Sequence, residues 1–160
     1  MPTPTPAPTP VPAFALTSTD IRAGRAISRR FTCDGADVSP ALAWNGVPEG
    51  TKSLALVMDD PDAHGFAHWL AYAIPGSVTQ LPEGAGSPTT QFMPQGTNDF
   101  GKIGYGGPCP PSGTHHYQFT LYALAAPLGV PGGARASTVR AALDRATVLG
   151  KVTLTATYAR

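Results

Sequence analysis

The segment YQFTLYAL at 117–124 constrains the fold more than any other stretch of the chain. In an extended strand successive side chains point to opposite faces, so Tyr117, Phe119, Leu121 and Ala123 share one side and Gln118, Thr120, Tyr122 and Leu124 the other. Both sides are largely apolar and both need cover, which places this strand in the middle of a layered structure. Near the C-terminus, Val152, Leu154, Ala156 and Tyr158 alternate with Thr153, Thr155 and Thr157, the pattern of an outer strand with one wetter face. FALTS from Phe14, SLALVM at 53–58 and HWLAYAI at 68–74 read as further strands. Only STVRAALDRA at 137–146 reads as a helix, with Ser137 as its cap, Val139, Ala142, Leu143 and Ala146 on one face, and Gly150 beyond its end. The expected architecture is mostly β: an antiparallel β-sandwich with one or two short helices.

Eighteen glycines and eighteen prolines against 13% charged residues suit short strands joined by turns and ordered loops. A length of 160 residues fits one domain. The start, MPTPTPAPTPVP, lacks both apolar content and free N–H groups, so residues 1–13 read as an extended tether and 14–160 as the folded domain. A net charge of +1 gives no global attraction to nucleic acid or to an anionic membrane, and any anion site must be local. No run approaches the length of a transmembrane segment, and the N-terminus lacks the basic and apolar regions of a signal peptide. The chain as given reads as soluble; a cytoplasmic protein, and a periplasmic or secreted one that has lost an N-terminal signal, both agree with it. Cys33 and Cys109 are too few for a cysteine metal cage or a disulfide framework; one bridge between them and two separate buried thiols both remain open.

Reactive side chains gather in DDPDAHGFAHW at 59–69, NDFGKIGYGGPCPPSG at 98–113 and HHY at 115–117, and all four histidines lie in these segments. The first sits between two strands and the last heads the central strand, and strand ends with their loops are where small-molecule sites form. The stretch 75–113, dense in proline and glycine and without periodicity, is too long for an idle connector.

Asp60-Pro61-Asp62-Ala63 followed by His68-Trp69, then Gly104-Tyr105-Gly106-Gly107-Pro108-Cys109-Pro110-Pro111-Ser112-Gly113, then His115-His116-Tyr117, resembles the motif set of the phosphatidylethanolamine-binding protein family. TCDGADVSPALAWNGVPEG at 32–50 and NDFGKIGYGG resemble its bacterial, Raf-kinase-inhibitor-like branch. The match runs in order from about Phe14 to the C-terminus, with two departures: His64 stands where the family usually has proline, and His116 where it usually has arginine. The resemblance implies a shallow cavity with a polar floor of Asp60, His68, His115 and Tyr117 and with backbone amides of Gly106 and Gly107 nearby. Phe66, Trp69, Tyr105, Pro108 and Pro110 are the expected walls. Protonated imidazoles, a phenol and amides are all donors, suited to phosphate, phosphoethanolamine or a similar anion. The Asp60–Pro61 bond is a candidate cis peptide.

Each element has a plainer reading. Asp60 and Asp62 can cap turns, and Asp62 is assigned that structural role. Trp44 reads as core. His64 and His68 have the spacing of zinc-binding helices, but Gly65 and the strand after it argue against a helix, and no metal, cofactor or catalytic residue is expected. GYGG lacks the GKS or GKT and the helix of a nucleotide-binding loop. The leading function is a binding or regulatory protein for a small anion, with kinase or protease inhibition and homodimer formation as further roles that relatives show. The rival is a hydrolase in which Asp60 and a histidine act as an acid–base pair, which would need a nucleophile; no GxSxG elbow is present.

Overall fold

The computed structural model describes residues 2–6 and 12–160. Among the described residues seven strands follow one another: β1 Ala15–Thr17, β2 Leu42–Asn45, β3 Ser53–Asp60, β4 Phe66–Pro75, β5 Gln80–Leu81, β6 Thr114–Leu124 and β7 Val148–Ala159, with one α-helix, α1 Ala136–Arg145, before the last. They form two antiparallel sheets, β1-β2-β5 and β4-β3-β6-β7. β6 lies inside the larger sheet and β7 at its end, as the alternation requires.

Two apolar layers cover the larger sheet. Leu54, Leu56 and Met58 of β3 and Phe119, Leu121 and Ala123 of β6 pack with Leu42 and Trp44 of the smaller sheet. On the opposite face Ala55, Val57, Leu70, Tyr72 and Leu124 pack with Val139 and Leu143 of α1. Trp44 is core, its indole donating to the Val78 carbonyl at 2.8 Å. β2 and β5, four and two residues long, were not expected as strands; Leu42 and Leu81 are too isolated in sequence to show a period.

α1 begins one residue before the expected start, with Arg135 at its N-cap and no side-chain cap. Ser137 therefore sits inside the first turn and is not the cap. Among the described residues no helix is long and apolar enough to cross a membrane. Residues 2–6, Pro12 and Ala13 are exposed; the rest of the expected 1–13 tether lies outside the described residues. Contact begins slightly before residue 14: Gly46 has φ +68°, and a Cβ there would stand 2.2 Å from the Ala13 carbonyl oxygen.

The margins of the larger sheet are paired by irregular chain. Beside β7, the amides of Gly24 and Ile27 donate to the carbonyls of Thr155 and Thr157, and Thr157 donates to Arg25. Beside β4, Tyr72 donates to Pro94 while Gly96, Asp99 and Gly106 donate to Leu70, Ala67 and His68. The long proline- and glycine-rich stretch is thereby anchored along a strand edge and ends above the strand ends that carry the reactive side chains.

Candidate functional site

β3 and β4 pair Met58 with Trp69 and Asp59 with Ala67, which leaves His68 as the extra residue of a β-bulge. Strict alternation would put His68 and Trp69 on opposite faces. The bulge turns both toward the side of the sheet that carries Tyr117: Trp69 enters the inter-sheet core, and His68, one residue earlier, reaches its open end. His68 is then clamped to Gly106, whose amide donates to the His68 carbonyl at 2.9 Å and whose carbonyl lies 2.7 Å from His68 Nδ1. A carbonyl only accepts, so Nδ1 carries the proton and Nε2 is the ring nitrogen left for the cavity. Burial lowers the pKa of His68 below the usual imidazole value, against opposing contributions from the Gly106 carbonyl and Asp60.

β3 ends at Asp60, which caps a 3-10 turn at Pro61–Ala63. One carboxylate oxygen accepts the Asp62 amide at 2.9 Å and the other accepts His115 Nδ1 at 2.6 Å. Both oxygens are thus engaged, and the side chain is only 4% exposed. Asp60–Pro61 is trans, correcting the cis expectation: Pro61 opens the 3-10 turn at its first position, where a missing N–H and a fixed φ are favourable. On β6, His115 and Tyr117 are two residues apart and share the inner face, with their neighbour His116 on the outer one.

Asp60, His68, His115 and Tyr117 come together at a cavity of about 170 Å³, walled by Phe66, Phe100, Ala63, Cys109, Pro110 and Pro111. The His68 ring packs edge-on against Phe66, Phe100 and Tyr117, with centroids 5.1, 5.2 and 5.3 Å apart. Tyr117 Oη is buried without a hydrogen-bond partner. Burial, then the Asp60 carboxylate, pushes its phenol well above the usual value, so it stays a donor.

Other expected participants stand elsewhere. The Gly106 and Gly107 amides do not face the cavity as free donors: Gly106 N–H is bound to His68 and Gly107 N–H to Asp37 Oδ1 at 2.8 Å. Trp69 and Tyr105 are not walls; their rings pack edge to face in the core at 5.6 Å, with Trp69 donating to Gln95 and Tyr105 to the Phe31 carbonyl. Pro108 is buried outside the lining. Phe100 and Cys109 were missed as walls. Phe100 is placed by Asn98, whose amide donates to Gly104 and whose carbonyl accepts from Phe100 and Lys102. The cysteines form a disulfide, Cys33 being exposed and Cys109 lining the cavity.

The family model described as "Phosphatidylethanolamine-binding protein" matches residues 17–159. The chain belongs to the phosphatidylethanolamine-binding protein family. It is 48% identical to the "UPF0098 protein" of Aquifex aeolicus over 123 residues, 73% of this chain and 72% of that protein. It is 46% identical to the "UPF0098 protein YbcL" of Escherichia coli over 126 residues, 70% of this chain and 69% of that one. The crystal structure of E. coli YbcL, described as a member of the mammalian PEBP family, superposes with a TM-score of 0.87 at 36% identity, covering 93% of this chain and 99% of that one.

His116 holds a carboxylate: its amide and Nδ1 lie 2.7 and 2.8 Å from Asp62 Oδ2. These bonds hold the Asp62 carboxyl below its usual pKa. His64 ends the turn in the left-handed region at φ 56°, a conformation closed to proline, and it is exposed outside the cavity lining.

Proposed function

We propose that this family member is a binding protein for a small phosphate-type anion, free or at the head of a phosphorylated amphiphile, and that it does not act through a covalent intermediate. The observation that carries this reading is the buried, unpartnered Tyr117 hydroxyl beside two imidazoles whose other nitrogens are already tied. A buried hydroxyl without a partner loses about 1–3 kcal/mol of solvation, which a bound oxyanion would restore. A cavity of about 170 Å³ is in keeping with one tetrahedral anion and not with a whole lipid. The apolar rim of Phe66, Phe100 and Pro111 would face whatever the anion is attached to.

Proton linkage is part of this reading. With Nδ1 of His68 donating to a carbonyl, its Nε2 becomes a donor only when the ring is protonated, so anion binding should draw a proton onto the site. Titration calorimetry with inorganic phosphate and with phosphoethanolamine at about pH 5.5 and about pH 8 tests this. Tighter binding at the lower pH, with net proton uptake, is expected; absence of binding at both would end the proposal. A tighter complex with phosphoethanolamine than with phosphate would point to a head group.

The hydrolase alternative has Asp60 and His115 within hydrogen-bonding distance but no evident nucleophile: Tyr117 holds its proton and Cys109 is in a disulfide. An esterase and phosphatase screen with and without added zinc or manganese separates the two. Turnover abolished by His68→Ala would favour the enzyme.

A further inference from the structure

The disulfide spans 76 residues and joins the 32–37 loop to the cavity wall. Cys33 N–H donates to the Pro108 carbonyl at 3.1 Å, and the wall is next tied to the fold at Gly113, which exchanges hydrogen bonds with Arg160 at 2.9 and 3.2 Å. Between these points, among the described residues, no main-chain hydrogen bond holds 109–112, and Pro110 and Pro111 have no N–H to offer. The covalent bridge is therefore the principal tie of the segment that walls the cavity.

The two sulfurs are unequal. Cys33 is exposed, whereas Cys109 is half-buried with the Arg160 guanidinium 3.7 Å from its sulfur. Arg160 is itself fixed by Asp34 at 3.1 Å, and Asp34 by the Tyr158 hydroxyl at 2.5 Å. Exchange runs through attack of a thiolate on an accessible sulfur, and it is faster when the departing sulfur is stabilised as an anion. Access favours attack at Cys33, and the guanidinium favours departure of Cys109.

We propose that Cys33–Cys109 is a thiol-exchange site that gates the cavity. A low-molecular-weight thiol gives up its proton to water and attacks Cys33 Sγ. The Cys33–Cys109 bond breaks as the new S–S bond forms, and the electron pair leaves on Cys109 as a thiolate paired with Arg160. The product carries the small thiol on Cys33 and has a released wall. Return of the Cys109 thiolate to Cys33 expels the thiol and rebuilds the cavity, so the cycle needs no reactant beyond the thiol. The gate's effect on ligand rests on the anion-binding reading above; the chemistry at the sulfurs does not.

The test is exposure of the oxidised full chain to limiting glutathione, acid quenching, alkylation and peptide mapping. The adduct is expected on Cys33 with alkylation on Cys109, and exchange should slow severalfold in Arg160→Gln; an adduct equally or mainly on Cys109 overturns the assignment. Hydrogen exchange of the bonded Gly106, Gly107 and Gly113 amides that flank the wall should quicken on modification, and inorganic phosphate should bind about tenfold or more weakly, as expected when a preorganised wall is lost. Equal phosphate affinity in the two states overturns the gate. Failure of phosphate to bind either state refutes the anion reading, while the mapping and exchange results still decide the site.

Discussion

Tyr117 carries a buried hydroxyl with no protein partner among the described residues, and this separates its two roles experimentally. Tyr117→Phe keeps the ring against His68 and removes the orphan atom, so thermal unfolding should be unchanged or shifted upward by the equivalent of about 1 kcal/mol, while phosphate affinity should fall about tenfold or more. A loss of both would mean the hydroxyl is structural. His68 makes a pH prediction with a definite sign. Its native pKa lies below the unfolded imidazole value of 6.5, so between those two pKa values the unfolded chain binds more protons and stability rises with pH. The contribution is complete above about pH 6.5 and is lost as pH falls toward the native value. Melting curves from about pH 8 to about pH 5.5 should show this decline, and saturating phosphate, which favours the charged ring, should flatten it. The groups around the ring are Asp60, Tyr117 and the Gly106 carbonyl, with Asp37 further off; Asp62, held below the ordinary carboxylate value, titrates outside this window. Asp60, His68, His115 and Tyr117 were legible because each stands in a motif with a fixed order. Trp69 was misread for a pleat reason: nothing in HWLAYAI announces that His68 is a bulge residue, and only the register with β3 shows which way each ring points.

The loops around the cavity are elements in their own right, built from side chain to backbone bonds. Asp37 sits at φ 56° and accepts the Gly107 amide, so it both adopts an unfavourable backbone conformation and anchors the wall. Asp37→Asn keeps an acceptor and tolerates that conformation, whereas Asp37→Ala loses both; unfolding in urea should show little change for Asn and about 2 kcal/mol or more of destabilisation for Ala. Arg140 of α1 performs a similar service from the far face of the sheet, donating to the Gly65 carbonyl at 2.7 Å and pairing with Asp59 at 3.2 Å, and so pins the turn that bears Ala63. These ties explain why the glycine amides were misjudged. A GxxGPxPPxG string shows where the chain bends, but whether an N–H faces ligand or protein depends on Asp37 and His68, which lie some 70 and 38 residues away.

For the whole molecule, the alternation of β6 and β7, long and strongly patterned, showed a layered β fold, and the family resemblance implied the sandwich; the three-stranded sheet was not readable from alternation, its strands being at most four residues long. The disulfide was open in the sequence because proximity of Cys33 and Cys109 depends on how the 32–37 loop meets the proline wall. Its closure of a 76-residue loop has a global consequence. Replacing both cysteines by serine should cost about 4 kcal/mol in the chain-entropy picture, lowering the melting temperature by roughly 10 °C, measurable by calorimetry.

The segments lying along β4 and β7 also limit how copies of this chain can associate. The β4 border is occupied from Ala67 to Tyr72 and the smaller sheet is bounded by strands of three and two residues, whereas on β7 the irregular chain bonds only Thr155 and Thr157, so among the described residues the open border of the larger sheet is confined to 148–153. Any strand supplied by a second copy therefore has only that short stretch to pair with, and association elsewhere has to proceed through side-chain surfaces.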